Sequence, residues 1–462
     1  MAEGARYRFE PLQRRGLVLG LGPAQIAVLT SAVLVAFGLI SSARGVPATL
    51  AAVAVLGLGV VLCRPVAGRP ALSWLGIGTA FVGRRRQAGA APPGLPSSGA
   101  LRLPVRVWPP GLVLHELVPT DGGGPLGVLL DRRGGTAAAL VRAKGGAFCL
   151  LDEAGKQRQL VSWGTVLESL ATHRGSLARL QWCQRSLPED TSPLVAKLKA
   201  NADPASPGYR SHLALLEAAR SWRHETLLVV VVRWQGGLAR RGQECADLLH
   251  AEVAALRAML RSTGTACEPA LDGRGLAGAV GAYIEPSLQR YSDAYPWPLS
   301  VEERWDALRI DGLWHRTYWV AEWPRSHVGP DFLSPLLIRG GSRSFSVVMS
   351  PVPPDRAARE AESSRTAQLA DSRLRSQGGF LETARHRRQA EALESREAQL
   401  ADGRGAFELA GYVTVSAPDE AALQHSSAEL ERAAGGARLC LRLLYGQQRE
   451  AFGWAMPFGR GL

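Results

Sequence analysis

The six cysteines of this 462-residue chain, at 63, 149, 183, 245, 267 and 440, form no CxxC pair and show no metal-ligand spacing with its nine histidines. That pattern argues against a zinc module, a redox dithiol and a disulfide framework. The cysteines read instead as isolated core thiols, which suits a reducing cytosol and leaves an oxidising compartment open. No GxxxxGK[ST] run is present, and the glycine clusters at 122–124 and 340–341 have no lysine beside them to reach a phosphate, so no phosphate loop is expected. HExxH and GxSxG are missing as well, which removes the two commonest hydrolase signatures. A literal GxGxxG occurs at Gly273, Gly275 and Gly278, but the preceding CEPALD makes a poor strand. A dinucleotide site needs a strand before those glycines, so the sequence predicts only a glycine-rich loop entering a helix.

Acidic residues are scarce at one end. Residues 1–86 hold ten arginines, no lysine and only Glu3 and Glu10, so +8 of the formal net charge of +13 lies there and the remaining 376 positions carry a mild +5. The excess therefore belongs to whatever the first 86 residues do, and the rest of the chain is not strongly basic.

What those residues do is legible from their long uncharged runs. Twenty-eight residues without a charge separate Arg15 from Arg44, and nineteen more separate Arg44 from Arg64; about 20 suffice to span a bilayer as helix. The sequence thus predicts two transmembrane helices joined by a tight turn, with Pro47 in a first helical turn where it is tolerated. Arg6, Arg8, Arg14 and Arg15 precede the first span, only Arg44 lies in the turn, and Arg64, Arg69, Arg84, Arg85 and Arg86 follow the second. By the positive-inside rule both ends face the cytosol, giving a multi-pass inner-membrane protein. The apolar stretch ALSWLGIGTAFVG after Pro70 is too short to span and is expected to lie in the interface, with Trp74 at headgroup depth and Arg84, Arg85 and Arg86 on anionic lipid. A helix packed on a soluble domain is the competing reading of that stretch. Arg14 and Arg15 before an apolar run also suggest a twin-arginine export signal, but the run exceeds the roughly 7–15 residues of a signal core and a second span follows at once.

Hydrophobic residues make up 46% of the chain and charged ones 21%, so the remainder should be globular and, at this length, divided into more than one unit. Residues 87–110 are rich in Ala, Pro, Gly and Ser and read as a linker. Beyond it the expected class is α+β: two mixed α/β units, 111–300 and 301–462, with no long-period repeat visible between them. In the first, TAAALVRA (136–143) and AFCLLD (147–152) suggest a hairpin, QRQLVSWGTVLESLAT a helix, and TLLVVVVRW (226–234) a central strand buried on both faces. In the second, strands near 313–324, 344–352, 406–416 and 437–446 alternate with helices in the order of a ferredoxin-like split βαβ. Its middle carries a helical hairpin over 355–402 that is dominated by Ala, Arg, Glu and Gln. Such an arm is either a solvated element held by charge pairs or a projection that binds a partner.

The densest group of functional side-chain types is Trp314, His315, Tyr318, Trp319, Glu322 and Trp323. Strand alternation splits His315 from Glu322, so the group reads as a buried aromatic strand rather than an acid–base pair. Base stacking is weighed and set aside because no basic stripe accompanies the aromatics.

Three stretches carry a resemblance: YRFEPLQRRGLVLGLGPAQIAVL, TYWVAEWPRSHVGPDFLSPLL and the closing LYGQQREAFGWAMPFGRGL. Together they resemble a family of actinobacterial membrane proteins found beside conjugation-type secretion ATPases, and the first 86 residues resemble the PrgI family of small two-helix membrane proteins. The soluble part is similar to the N-terminal domain of the VirB/TraC/TrbE class of type IV secretion ATPases, in which Trp323 with Pro324, Gly329 with Pro330, and Tyr445, Gly446, Gln447 and Gln448 match the family's places. In that class the motor follows, near where Leu462 stands here. The resemblance implies a non-enzymatic membrane scaffold without a cofactor that docks a separate secretion ATPase beside other channel subunits, with direct nucleic-acid binding not expected and an oligomer left open. A type VII secretion subunit of the EccE kind and a membrane-bound enzyme with an unfamiliar site are the alternatives.

Overall fold

A computed structural model describes residues 22–42, 45–87, 104–145, 148–172, 176–188, 191–218, 222–235, 238–285, 298–326, 328–338, 341–377 and 384–461. The chain divides into a body, residues 91–354 with 403–462, and a second unit of residues 10–90 with 355–402.

In the second unit, α1 (Pro23–Ser42) and α2 (Val46–Cys63) are long and apolar enough to cross a membrane. They pack through small side chains: Ala32, Ala36, Ala48 and Ala52 are buried, and a Cβ on Gly59 would come within 2.9 Å of Ala32 Cβ. Small residues let helix backbones approach closely where no hydrophobic force drives association. The larger apolar groups point outward, with Leu34, Phe37, Val46 and Val53 all more than 60% exposed. The open end of the pair is pinned by Gln25, whose Nε2 donates to the Cys63 carbonyl at 3.0 Å. A two-residue turn at Ala67 and Gly68, both at positive φ, joins β1 (Pro65–Val66) to β2 (Arg69–Pro70) and leads into α3 (Ala71–Gln87). The same unit holds the arm, α10 (Pro354–Gln377) and α11 (Ala384–Ala401), linked by an exposed ion pair between Arg365 Nη1 and Glu397 Oε2 at 2.6 Å.

The body is one antiparallel sheet. Its strands are β3 (Val105–Val107), β4 (Leu112–Leu117), β5 (Leu126–Asp131), β6 (Thr136–Lys144), β7 (Leu177–Pro188), β8 (Trp222–Arg233), β9 (Ala266–Ala270), β10 (Val301–Glu303), β11 (Leu308–Ile310), β12 (Leu313–Glu322), β13 (Arg343–Val352), β14 (Ala406–Ala417) and β15 (Cys440–Leu443). They follow the order β10-β11-β12-β14-β13-β7-β8-β6-β5-β4-β3, with β15 beside β12 and β9 beside β6. The helices are α4 (Glu153–Thr172), α5 (Ser192–Asn201), α6 (Pro207–Ala218), α7 (Leu238–Arg261), α8 (Gly273–Ile284), α9 (Ser334–Leu337), α12 (Glu420–Gly436) and α13 (Gln448–Ala455).

Read in chain order, the two halves trace one path. A hairpin (β4–β5, then β10–β11) is followed by a strand, a helix, a strand, two helices, a strand, a helix, a short strand and a last helix. Within each half the four principal strands pair in the same sequence, β9-β6-β8-β7 and β15-β12-β14-β13, all antiparallel. The halves meet where β7 pairs with β13, from Arg343 opposite Ser186 to Met349 opposite Leu180. Details repeat as well: Leu271 N–H bonds Leu140 O as Leu444 N–H bonds Thr317 O. Glu116 on β4 accepts from Gly273 N–H at the start of α8, and Glu303 on β10 accepts from Arg449 N–H at the start of α13. The sequence shows no repeat because what is shared is pairing and not side-chain identity: β6 is built of small aliphatics and β12 of aromatics.

Both faces are covered. On one, α4 and α7 bury Val166, Leu170, Leu249 and Leu256 against the first half, while α9 and α12 bury Leu336, Leu423 and Leu430 against the second. On the other, α8 and α13 cover the halves, joined by Met456 and Phe458. Leu227 to Val232 of β8 are therefore all at most 1% exposed. An uninterrupted apolar strand needs two covered faces, and here an antiparallel sheet supplies them.

Several expectations change. The hairpin foreseen between 136–143 and 147–152 is absent: Phe148–Leu150 is a single 3₁₀ turn, and β6 pairs with β5, β8 and β9 instead. Asp152 explains the turn, since its carboxylate accepts from Gly155 N–H at 2.8 Å and starts α4. The strand foreseen over 437–446 shortens to Cys440–Leu443, because Leu439 N–H closes α12 on Ala434 O with Arg438 at positive φ. Between β12 and β13 the described residues hold a single helical turn, Ser334–Leu337. Residues 105–107 of the expected linker belong to the sheet as β3, paired to β4, and Trp108 in the turn that follows is buried.

Candidate membrane and docking surfaces

The membrane-proximal residues separate into three groups. Arg14 and Arg15 lie outside the described residues. Trp74, in the first turn of α3, is half-buried and its Nε1–H donates to Val66 O at 3.1 Å, so it ties α3 to the β1–β2 turn. Arg84, Arg85 and Arg86 occupy the last turn of α3, Arg84 half-buried and Arg85 exposed. Cations there oppose the negative end of the helix dipole and would face whatever anionic surface adjoins it.

The motif residues of the body are architectural. Trp323 stacks edge-on to Phe345, with ring centroids 6.4 Å apart, and Pro324 is buried beside it. Gly411 on β14 makes the space, since a Cβ there would be 2.9 Å from the Trp323 ring and 2.8 Å from Val320. Alternation places Trp323 with His315 and Trp319. A register shift between Val320 and Glu322 moves it to the face of Trp314 and Tyr318. Gly329 and Pro330 lead into Asp331, whose carboxylate pairs with buried Lys156 of α4 at 3.3 Å and so ties the two halves together. Tyr445 and Gly446 turn the chain after β15, Gly446 at φ +67 with its N–H on Trp305 O. Gln447 caps α13, and Gln448 is wholly buried. The Gln448 amide completes the strand that β15 leaves unfinished: Oε1 accepts from Thr317 N–H at 2.9 Å, and Nε2 donates to Leu444 O and Thr317 O at 2.9 and 3.2 Å.

A second buried glutamine escaped sequence reasoning altogether. Gln181, on β7 beside the junction of the halves, donates from Nε2 to Ser346 Oγ at 2.6 Å and to Met456 O at 2.8 Å, and accepts from Gly459 N–H at 2.6 Å. Arg179 Nη1 adds a bond to Gly459 O, and Arg460 reaches Asp131 at 2.6 Å. The segment 456–461 is thus stitched across the sheet. No periodic or motif signal marks a polar residue at such a place.

The residues weighed for chemistry are already engaged. His315 is fully buried, its Nδ1 shares a hydrogen bond with Ser416 Oγ at 2.9 Å, and burial pushes its pKa down to about 3, leaving the ring neutral. Glu322 lies at the far end of the strand, paired to Arg325. Burial pushes the Cys183 and Cys245 thiols up to about 12 and raises Cys267 too, which keeps them protonated and unreactive. Among the described residues no group of three His, Cys, Asp or Glu could hold a metal. The glycines at 273, 275 and 278 do follow a strand, contrary to the expectation from CEPALD: β9 ends at Ala270 and α8 starts at Gly273. The amides are nonetheless taken by carboxylates, Gly273 N–H by Glu116 and Gly275 N–H by Asp272. Two anionic side chains at a helix N-terminus occupy the place a pyrophosphate needs. No protein-family model matches this chain, and no curated protein is similar to it.

Proposed function

We propose that the protein is a non-enzymatic, multi-pass scaffold of the bacterial inner membrane, part of a conjugation or type IV-like secretion apparatus, that docks an ATPase carried on another chain. In this reading α1 and α2 span the bilayer, both ends of the pair face the cytosol, and Arg84, Arg85 and Arg86 lie on anionic headgroups. Each half of the body is a ferredoxin-like split βαβ, and the second carries the helical arm. The observation that supports the reading is the pair of outward-apolar helices, beside a body in which His315 Nδ1, the Gly273 and Gly275 amides and the Gln448 side chain are bonded within the fold. The resemblance of Trp323, Pro324, Gly329, Pro330 and Tyr445 to Gln448 to the non-motor domain of secretion ATPases supplies the partner class. Co-purification tests it: the full chain, extracted in mild detergent with the secretion ATPase encoded beside it, should retain that ATPase and hydrolyse no nucleotide alone. An ATPase that elutes free, or turnover by the chain itself, would reject the proposal.

A further inference from the structure

At one end of the sheet's first half, arginines gather around a single buried carboxylate. Asp131 ends β5, Arg233 ends β8 and Arg179 lies at the start of β7; alternation puts all three on the face that buries Leu129 and Val231. Arg460, from the segment stitched across that face, donates from Nε to Asp131 Oδ2 at 2.6 Å, and Arg179 Nη1 donates to Gly459 O at 3.0 Å. Arg133 follows in the β5–β6 turn. Its N–H donates to Asp131 Oδ1 at 3.0 Å, and its side chain runs over Gly111, where a Cβ would stand 3.2 Å from Arg133 Cδ. The adjoining Arg132 is left out of the group, since burial and then the Arg132 charge hold His115, on the other face of β4, below its ordinary range.

Four guanidinium groups thus stand about one carboxylate, a net +3, over three strand spacings or about 14 Å. The next carboxylate on this face, half-buried Glu408 of β14, lies beyond β13 and bounds the group. The charges crowd one another: burial holds Arg179 below its ordinary range, Asp131 opposes that, and the Arg233 charge adds to it. Arg133 and Arg233 are exposed, and among the described residues neither side chain has an ion pair. Asp131 shows the chemistry the group accepts, a carboxylate held by Arg460 and by two backbone N–H groups. A guanidinium fork also matches a carboxylate bidentately. Nucleic acid fits less well. The aromatic residues adjoining the group, Trp108, Trp234 and Phe458, are buried and give no stacking platform, and duplex contacts spread over about six to ten phosphates. We propose that this end of the body is a docking surface for an acidic segment of a partner protein, whose carboxylates take Arg133 and Arg233. Such a segment would bind here whether it belongs to a secretion ATPase or to another subunit.

Binding of a fluorescein-labelled octaglutamate peptide to the full chain in phosphatidylcholine nanodiscs, read by fluorescence anisotropy, tests this. The wild type should bind the peptide at about 50 mM salt, with a dissociation constant that rises about tenfold at about 500 mM. R133E/R233E should weaken binding about tenfold at low salt with an unchanged melting temperature, because both side chains are exposed. R133K/R233K, which keeps the charge and loses the fork, should weaken it about threefold. R84E/R85E, at the end of α3, should bind like the wild type. A wild type that does not bind, an R133E/R233E chain that binds like the wild type, or a loss confined to R84E/R85E would each overturn the proposal. So would octathymidylate binding more tightly than the peptide and being lost in R133E/R233E, which would make this a surface for nucleic-acid phosphates.

Discussion

Replacing Gln448 by alanine should detach β15 from the body. The side chain is fully buried and makes three hydrogen bonds, two of them with the backbone of Thr317 on β12. Losing it strands the Thr317 N–H in a dry interior, which costs about 1–3 kcal/mol, and leaves a void where the amide stood, for about 1–2 kcal/mol more. The total is about 3–4 kcal/mol, or a fall of about 6–10 °C in apparent Tm for a body of this size. Gln448→Met keeps most of the volume and discards the hydrogen bonds, so it should recover only the void's share. Tryptophan fluorescence during heating reads the shift, and hydrogen exchange of residues 440–448 should accelerate selectively. A Gln448→Ala protein that melts within about 2 °C of the wild type, or a methionine variant as stable as the wild type, would refute the claim that this amide completes the sheet.

Other consequences follow from the same geometry. Gly459→Ala should free the segment 456–461, because the new Cβ would come within 2.1 Å of Val231 Cγ2 at a φ of +66; a loss of about 3 kcal/mol or more and rapid amide exchange at position 459 are expected. Asp131 is held below its ordinary carboxylate range: burial opposes ionisation, but the Arg460 hydrogen bond, the Gly134 N–H, the Arg460 charge and the Arg133 N–H outweigh it. A lowered folded-state pKa stabilises above the unfolded value and is lost as pH falls through the folded one, so acid titration below about pH 4 should destabilise the wild type more steeply than Arg460→Ala. His315, titrating at about 3 when folded and 6.5 when free, binds its proton more readily in the unfolded chain. Its contribution is therefore complete above pH 6.5 and declines toward pH 3, and His315→Gln should flatten that part of the stability profile. In the α1–α2 pair, Gly59→Leu should part the helices, read as a reduced yield of the disulfide between Cys63 and an introduced Gln25→Cys, whose native partners touch.

Sequence pattern located the elements whose signal is long: the uncharged runs of α1 and α2 and the valine run of β8. It missed β4 and β5, six residues each, whose apolar runs are too short to distinguish from loop. It also missed the duplication, since a pairing order leaves no trace in side-chain identity when one half uses small aliphatics and the other aromatics. Gln448 was marked by resemblance alone, and its role as a substitute strand emerges only with Thr317 beside it. Gln181 had no mark at all. For the arm, the helices and their charged character were legible, whereas the ion pair between Arg365 and Glu397 that links them was not.

The proposed scaffold role is tested most directly by flotation of a secretion ATPase of the proposed partner class with vesicles that contain the full chain. The account predicts that the ATPase floats with loaded vesicles, stays behind with empty ones, and is the only component that hydrolyses nucleotide. An ATPase that floats equally with both, or with neither, would contradict it.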